Sequence, residues 1–281
     1  MQGKTVVVTG ATSGIGEVAA VELARQGARI VFIARNPLRR DTTLARLSFA
    51  NDKAEHTAYL ADLSRLSEMR RVAGEIAAAE PKIDVLIDNA GALFAKRETT
   101  ADGLEMTFAT NHMAYFVITN LLLNNLKATP GARIVVTASD AHKSGKLDFG
   151  DLQAGKSYSA FRVYGTSKLC NILFTRELAR RLAGTGVTAN CLHPGFVATQ
   201  FADNNDGLLP FVVGIAKRAA AITPEEGAKT IIHLASSPQV AGKSGGYFYK
   251  CAPATPTAAA QNDADAKRLW DVSAKIAGVG A

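Results

Sequence analysis

The eight residues TGATSGIG, at positions 9–16, decide the fold because they join a short apolar run to three closely spaced glycines. The run Thr5–Thr9 is rich in valine, as buried strands are, and a helical pattern begins at Ile15. A glycine turn between strand and helix lets a diphosphate reach free N–H groups at the helix N-terminus, where the helix dipole favours negative charge. The stretch predicts a dinucleotide-binding α/β fold. The alternative is a glycine-rich turn without a ligand.

The alternation of short apolar runs with longer helical patterns continues almost to the end of the chain. The predicted strands are Thr5–Thr9, Ala28–Ala34, Thr57–Ala61, Asp84–Asp88, Arg133–Ala138, Thr188–Leu192 and Gly246–Tyr249. The predicted helices include Ile15–Gln26, Ser67–Ala79, Leu104–Leu126 and Ala160–Ala183. Most strand runs lack polar alternation, which is typical of strands covered on both faces. We therefore predict one domain over residues 1–281, a Rossmann-type doubly wound parallel sheet of about seven strands with helices on both faces.

Two longer stretches interrupt this rhythm after the fifth and sixth strands. Residues 142–160 are polar and contain glycine, and residues 196–222 include the apolar run Gly207–Ile215. Both follow the carboxyl ends of strands, where open α/β sheets bind ligands, and long insertions there are commonly functional. We predict a substrate loop around residues 196–222. The apolar run leaves three interpretations open: a substrate lid, a membrane contact or a subunit interface.

Composition limits the classes of protein to which the chain can belong. Apolar residues make up 47% and charged residues 20%, an ordinary globular mixture. The net charge of +7 comes from scattered basic residues, so it favours a solvated basic surface over a nucleic-acid module. The three cysteines lack metal-ligand spacing and predict reduced thiols without a metal. The sequence after Met1 lacks a signal-peptide pattern and no apolar run is long enough for a bilayer, so we expect a cytoplasmic protein without a transmembrane segment.

The end of the second strand indicates which cofactor binds. Dinucleotide folds selective for NAD place a carboxylate here on the ribose 2′-hydroxyl, whereas this chain has Arg35 and Asn36. A guanidinium can pair with a 2′-phosphate through two hydrogen bonds, and Arg39 and Arg40 lie close enough in sequence to assist. We therefore predict NADP(H) in preference to NAD(H). The alternative is that Arg35 only faces solvent. The predicted cofactor residues up to this point are Gly10, Thr12, Ser13, Gly14, Ile15, Gly16, Arg35 and Asn36.

A tyrosine and a lysine in the fourth predicted helix suggest acid–base chemistry. Tyr164 and Lys168 are four residues apart, so they share one helix face. A phenol with a pKa near 10 is a poor proton donor or base at neutral pH. A nearby ammonium and a cationic nicotinamide would lower that pKa and let Tyr164 transfer a proton. A tyrosine four residues before a lysine also arises by chance, so the assignment of a catalytic role depends on other motifs in the chain.

The glycine spacing Gly-x-x-x-Gly-x-Gly, with Tyr164 and Lys168, resembles the short-chain dehydrogenase/reductase superfamily. Its other motifs are matched by Asn111 in TNH, Ser139 in VVTAS, residues 88–91 (DNAG), Asp62-Leu63 and Pro194-Gly195 with Val197 and Thr199. The resemblance implies that Ser139 holds the substrate oxygen facing Tyr164, that Lys168 holds the nicotinamide ribose, and that Asn111 positions water in a proton relay. It also implies that Asp62 and Leu63 lie on the adenine side, that Asn89, Ala90 and Gly91 form the cofactor wall, and that Pro194, Gly195, Val197 and Thr199 fix the carboxamide. Asp88 replaces the family's first Asn, a change we expect to be mild.

Residues 110–123, 168–182, 193–195 and 268–271 more narrowly resemble the retinol dehydrogenase and WW-domain-containing oxidoreductase branch. That resemblance implies NADP(H)-dependent oxidation or reduction of an apolar aldehyde, ketone or secondary alcohol, in a homo-oligomer. The chain departs from the branch by lacking an amino-terminal membrane anchor, so we expect a hydrophobic carbonyl compound rather than a membrane-dissolved retinoid. The alternatives are a cofactor-binding sensor or scaffold without turnover, and an isomerase or dehydratase.

Two histidines near these motifs have competing interpretations. His142 lies three residues after Ser139 and either touches substrate or is an ordinary loop residue. His193 precedes Pro194 and is better explained as a structural hydrogen-bond partner than as a catalytic group.

Overall fold

The computed structural model describes residues 1–197 and 222–279, and within them eight strands form one sheet. The spatial order is β3-β2-β1-β4-β5-β6-β7-β8. The strands are β1 Thr5–Thr9, β2 Arg29–Ala34, β3 Thr57–Leu60, β4 Val85–Asp88, β5 Arg133–Thr137, β6 Thr188–Leu192, β7 Tyr247–Tyr249 and β8 Ala252–Pro253. Every pairing is parallel except that of β7 with β8. The strand order reverses at β1: β2 and β3 follow on one side of it, and β4 and the later strands follow on the other. This switch point creates the crevice where such sheets bind ligands.

Helices cover both faces of this sheet, as expected for a doubly wound fold. They are α1 Gly14–Arg25, α2 Pro37–Ala50, α3 Leu66–Ala79, α4 Met106–Phe108, α5 Ala114–Lys127, α6 Ala160–Arg181, α7 Pro224–Ser236 and α8 Asp263–Ala277. A π-helical turn, Ala109–Met113, joins α4 to α5, so the single predicted helix over 104–126 is interrupted. Short 3₁₀ turns occupy Asp140–Ser144, Pro238–Val240 and Ala258–Gln261.

The predicted fold class is confirmed, with one additional strand. Each of the seven predicted strands forms within one residue of its expected limits. Strand β8 escaped prediction because it has only two residues, one of them a proline, and pairs at the sheet edge.

The strands are buried on both faces because their side chains alternate between two cores. Val7 and Val31 point into the core formed with α3, α5, α6 and α8. Val6 and Val8 point into the opposite core, formed with α1 and α7. Burying each such side chain stabilises the fold by roughly 1.5–3 kcal/mol, so the sheet is a rigid platform for its loops.

The carboxyl-terminal helix α8 packs across the outer surface of α5 and α6. Its Trp270 lies parallel to Phe174 at a ring-centroid distance of 5.8 Å and meets Phe116 edge-on at 4.9 Å. The Arg181 guanidinium covers the indole at 4.4 Å. Part of the surface of α5 and α6 is therefore covered by the chain itself. The homo-oligomer stays a prediction.

Several predictions fall on residues that the structure does not describe. These are Thr199, the apolar run 207–215 and most of the substrate loop 196–222. The two described ends of that loop are joined, because the Ile222 N–H donates to the Phe196 carbonyl at 2.8 Å. Within residues 1–197 and 222–279, no helix combines the length and apolarity needed to cross a membrane, and no cluster of His, Cys, Asp and Glu is arranged to hold a metal ion.

Candidate active site

The glycine turn lies between β1 and α1, as predicted, and its glycines are required by close packing. A Cβ on Gly16 would lie 2.2 Å from the Gly10 carbonyl oxygen and 2.3 Å from the Asn89 amide nitrogen. Ser13 is the N-cap of α1 but makes no side-chain capping bond. The Ser13 side chain therefore leaves the start of α1 open to an anion.

The turn after β4 forms the neighbouring wall of the crevice. The Thr9 hydroxyl accepts hydrogen bonds from the N–H groups of Asn89 at 2.8 Å and Ala90 at 3.0 Å. The Asn89 amide in turn donates to the Gly10 carbonyl at 3.2 Å and accepts from the Thr137 hydroxyl at 3.2 Å. These bonds fix the wall against the ends of β1 and β5. Sequence reasoning missed Thr9 and Thr137, although each is a polar residue that closes an apolar strand.

Tyr164, Lys168 and Ser139 meet where β5 ends beside α6. The Ser139 side chain hydrogen-bonds Tyr164 and also accepts from the Ala141 N–H at 3.2 Å. The Lys168 ammonium nitrogen is 5.6 Å from the centre of the Tyr164 ring and donates to the Thr137 carbonyl at 3.1 Å. The phenol and the serine hydroxyl therefore share one side of the crevice, with the lysine beneath them.

Burial dominates the protonation of this group. It raises the pKa of Tyr164 to about 12, against a smaller lowering by the Ser139 hydrogen bond. It also lowers the pKa of Lys168 to about 7, because an ammonium loses its hydration there. The expected lowering of the tyrosine pKa by the lysine is therefore not found in the protein alone. A partly deprotonated amine supplies too little positive charge to offset the desolvation of the phenolate.

Asn111 lies in the π-helical turn and is fully buried, and its side chain makes three hydrogen bonds. Its amide oxygen accepts from the Ala92 N–H at 2.8 Å, and its amide nitrogen donates to the Ala92 carbonyl at 2.9 Å and the Ser167 hydroxyl at 3.0 Å. A Cβ on Gly91 would lie 3.3 Å from both Asn111 Oδ1 and Lys168 Nζ. Asn111 thus joins the turn after β4 to the helix that carries Tyr164 and Lys168.

The predicted adenosine-side residues lie at the ends of β2 and β3. Arg35 is exposed directly after β2. Asn36 caps α2 by accepting the Arg39 N–H at 3.1 Å, so its side chain already has a structural task. The Arg40 guanidinium binds Asp41 at 2.7 Å, which leaves Arg35 better placed than Arg40 to meet a ligand. Asp62 accepts from the Ser64 N–H at 3.0 Å and hydroxyl at 2.8 Å, and Leu63 is buried beside it.

The predicted carboxamide segment follows β6. Pro194 and Gly195 form a turn there, and Gly195 has a φ of +93°. Val197 is buried and packs near Ile15, since a Cβ on Gly227 of α7 would lie 2.7 Å from Val197 and 2.8 Å from Ile15. The segment therefore lies close to the start of α1, opposite the wall formed by residues 89–91.

Comparison with protein families and curated relatives gives a consistent result. The family described as short chain dehydrogenase matches residues 4–207. Retinol dehydrogenase 14 of Homo sapiens is 41% identical, over 99% of this chain and 88% of its own length. Retinol dehydrogenase 12 of Mus musculus is 39% identical, over 99% of this chain and 87% of its own.

Solved structures share the same architecture. An uncharacterised protein from Mycobacterium paratuberculosis aligns with a TM-score of 0.79 and 31% identity, over 99% of this chain and 94% of that one. Pseudomonas aeruginosa RhlG, in an NADP active-site complex, aligns with a TM-score of 0.71 and 25% identity, over 88% of this chain and 94% of that one.

Proposed function

The chain belongs to the short-chain dehydrogenase family, as an oxidoreductase of the retinol dehydrogenase-like branch, and from this we propose that it transfers a hydride between NADP(H) and an apolar carbonyl or alcohol compound. The observation that carries the proposal is the convergence of Ser139, Tyr164 and Lys168 at the end of β5. The alternative of a sensor without turnover gains no support from relatives that carry dehydrogenase names.

The family binds a nicotinamide cofactor, and the crevice has the features that such a group requires. The start of α1 suits the diphosphate, because the Ser13 side chain leaves it open. Only glycine fits at position 16, which keeps the turn tight beneath that diphosphate. When bound, the nicotinamide supplies or accepts the hydride, and the protein contributes position and electrostatics.

Arg35 supports NADP(H) as the cofactor. Its exposed guanidinium lies where a ribose 2′-substituent is expected, and the chain places no carboxylate at that strand end to repel a phosphate. The related RhlG structure is an NADP complex, which is consistent with this assignment.

Proton transfer is assigned to Tyr164, and Ser139 holds the reacting oxygen against it. During reduction the Tyr164 hydroxyl donates its proton to the carbonyl oxygen, and during oxidation the phenolate accepts the alcohol proton. A phenol with a pKa of about 12 stays protonated at neutral pH, which suits the reductive direction. After the proton is donated, Lys168 returns a proton to the Tyr164 phenolate through a relay. The Asn111 amide nitrogen already uses both of its donors, so Asn111 can contribute only acceptor oxygens to a relay water.

Exposed aromatic side chains near the site favour an apolar substrate. Phe161, three residues before Tyr164 on α6, is 53% exposed, and Phe196, directly after Gly195, is 43% exposed. Large side chains of this type are normally buried, and we infer from their sequence positions next to Tyr164 and Gly195 that these two border the substrate and favour apolar ligands. We therefore assign an apolar aldehyde, ketone or secondary alcohol as the substrate class.

The proposed function is tested by following NADPH consumption with a panel of apolar aldehydes and ketones. Replacing Tyr164 by Phe removes the proton donor and is expected to lower turnover by about 10²–10⁴-fold, with NADPH binding retained. Tyr59→Phe removes a hydroxyl from β3, at the far edge of the sheet from β5, and serves as the matched control. Wild-type protein that consumes no NADPH with any carbonyl compound, or a Tyr164→Phe variant as active as the wild type, would refute the proposal.

We also propose a cytoplasmic location. All three cysteines are free thiols, as a reducing compartment maintains them. Cell fractionation with antibody detection tests this, and recovery in a membrane or secreted fraction would contradict it.

A further inference from the structure

His193 makes two contacts that fix the turn after β6. Its ring nitrogen Nδ1 accepts the N–H of Gly195, two residues later, at 3.2 Å. Its ring also lies parallel to the Tyr249 ring of β7, with centroids 3.9 Å apart and planes 15° apart. The backbone N–H of His193 donates to the Phe248 carbonyl at 3.1 Å, so both the ring and the backbone of His193 contact β7.

The direction of this hydrogen bond determines the state of the ring. A backbone N–H can only donate, so Nδ1 must carry a lone pair and the proton of the neutral imidazole must be on Nε2. His142, nearby, has the opposite arrangement. Its Nε2 accepts the Thr257 N–H at 3.2 Å, so its Nδ1 donates to the Ser139 carbonyl at 2.8 Å. Of the two rings, only the His193 ring holds the carboxamide segment.

We propose that His193 is a positioning residue for the nicotinamide, because its Nδ1 holds the Pro194-Gly195 turn in the shape that receives the carboxamide. The inference rests on the proposed function. Gly195 has a φ of +93°, which few other residues adopt, and a Cβ there would lie 2.9 Å from the Ile222 side chain. The turn is thus confined on one side by Ile222 and held on the other by His193.

Protonation of His193 would remove this constraint. A proton on Nδ1 turns the acceptor into a donor, so it repels the Gly195 N–H. Burial lowers the pKa of His193, Asp140 raises it, and Lys143 and His142 lower it. Tyr247 and Tyr249 of β7 face the same ring. His193 also lines an open cavity of about 300 Å³, which gives solvent protons access. The neutral ring therefore prevails at pH 7, and the constraint is lost only on the acid side of the ordinary histidine pKa of 6.5.

Two substitutions separate the hydrogen bond from the ring stacking. In His193→Asn the side-chain oxygen can accept the N–H two residues later, as in an Asx turn, but the stacking is lost. In His193→Phe the stacking on Tyr249 is kept, but the acceptor is lost. The experiment measures calorimetric binding of NADP⁺ and of 2′-phospho-ADP-ribose, which lacks the nicotinamide ring.

The expected result is a selective loss in His193→Phe. Its Kd for NADP⁺ should rise about fivefold, the factor that one ordinary hydrogen bond contributes. Its Kd for 2′-phospho-ADP-ribose should stay within about twofold, and His193→Asn should stay near the wild type for both ligands. In the wild type, the Kd for NADP⁺ divided by the Kd for 2′-phospho-ADP-ribose should rise as the pH is lowered from 7.5 to 5.5. In His193→Asn this ratio should stay constant.

Other results would overturn the inference and locate the error. Equal weakening of both ligands in either variant would show a general structural role. Unchanged NADP⁺ binding in a folded His193→Phe variant would show that the hydrogen bond does not position the nicotinamide. If His193→Phe does not fold, an unchanged wild-type Kd ratio across the pH range is sufficient to refute it. Wild-type protein that binds neither ligand would instead refute the proposed function, and the inference with it.

Discussion

Asp88→Asn should make the protein more stable, increasingly so as pH rises. Asp88 is fully buried at the end of β4, where one carboxylate oxygen accepts the Thr119 hydroxyl at 2.7 Å. The other oxygen has no hydrogen-bond partner among the described residues. Burial raises the pKa of this carboxyl to about 8, from an ordinary value of 3.8. The folded protein therefore keeps Asp88 protonated at a pH where the unfolded chain ionises it.

The sign and size of the effect follow from proton linkage. A group whose pKa is raised on folding stabilises the folded state fully below its unfolded pKa and loses that contribution as pH rises to its folded pKa. Between pH 5 and pH 8 the loss is about 1.4 kcal/mol per pH unit, which gives about 4 kcal/mol in total. An asparagine keeps an acceptor for Thr119 and never ionises. The Tyr115 hydroxyl, which is buried and has no hydrogen-bond partner among the described residues, would also lose the effect by which Asp88 raises its pKa.

Urea denaturation followed by circular dichroism at pH 5, 6, 7 and 8 measures this effect. The difference in the free energy of unfolding between Asp88→Asn and wild type should grow by about 4 kcal/mol over that range. Asp52→Asn, the same substitution at an exposed residue, provides the control variant in this assay. A difference for Asp88→Asn that stays constant within about 1 kcal/mol would refute the argument from burial.

Three other predictions concern the cofactor preference, the packing of α8 and the effect of a buried histidine on stability. Arg35→Asp should lower the preference for NADPH over NADH at least tenfold, because a charge-assisted contact is lost. Steady-state kinetics measure this preference as the ratio of kcat/KM for the two cofactors, and an unchanged ratio would contradict the prediction. Trp270→Ala should cost about 3–5 kcal/mol by urea denaturation, while Lys275→Ala, an exposed change on the same helix, should cost less than about 0.5. Burial lowers the pKa of His112 from 6.5 to about 4. The contribution of His112 to stability should therefore fall by about 3 kcal/mol as pH drops through that range, so the free energy of unfolding of His112→Asn should rise by that amount relative to the wild type in the same assay.

The sequence allowed the fold to be predicted because its signals are local. The Val-rich run at residues 5–9 and the glycines after it specify a strand, a turn and a helix from neighbouring residues alone. Contacts between distant residues carry no such signal. Trp270 meets Phe116 and Phe174, far away in the chain, and no pattern near residue 270 indicates that it covers α5 and α6.

The motif residues were predicted better than their chemistry. Ser139, Tyr164 and Lys168 come together as the family resemblance implied, but their proton affinities depend on how much water the assembled fold excludes. That exclusion depends on packing, which the sequence motif does not encode. Similarly, the Asn111 motif gave no sign that its side chain would bond to Ala92 and Ser167.

Asp88 shows why one substitution in a motif can be mild for one property and costly for another. Asn89, Ala90 and Gly91 follow the strand and form the crevice wall, and the Thr9 hydroxyl holds the first two in place. Asp88 is the last residue of the strand itself, and its side chain points to Thr119 of α5 on the core side. Its carboxyl group is therefore separated from the crevice but buried in the core. The expectation of a mild change applies to cofactor binding, whereas the buried carboxyl lowers folding stability. The pH dependence of unfolding, rather than that of turnover, is therefore the measurement that reveals the effect of Asp88.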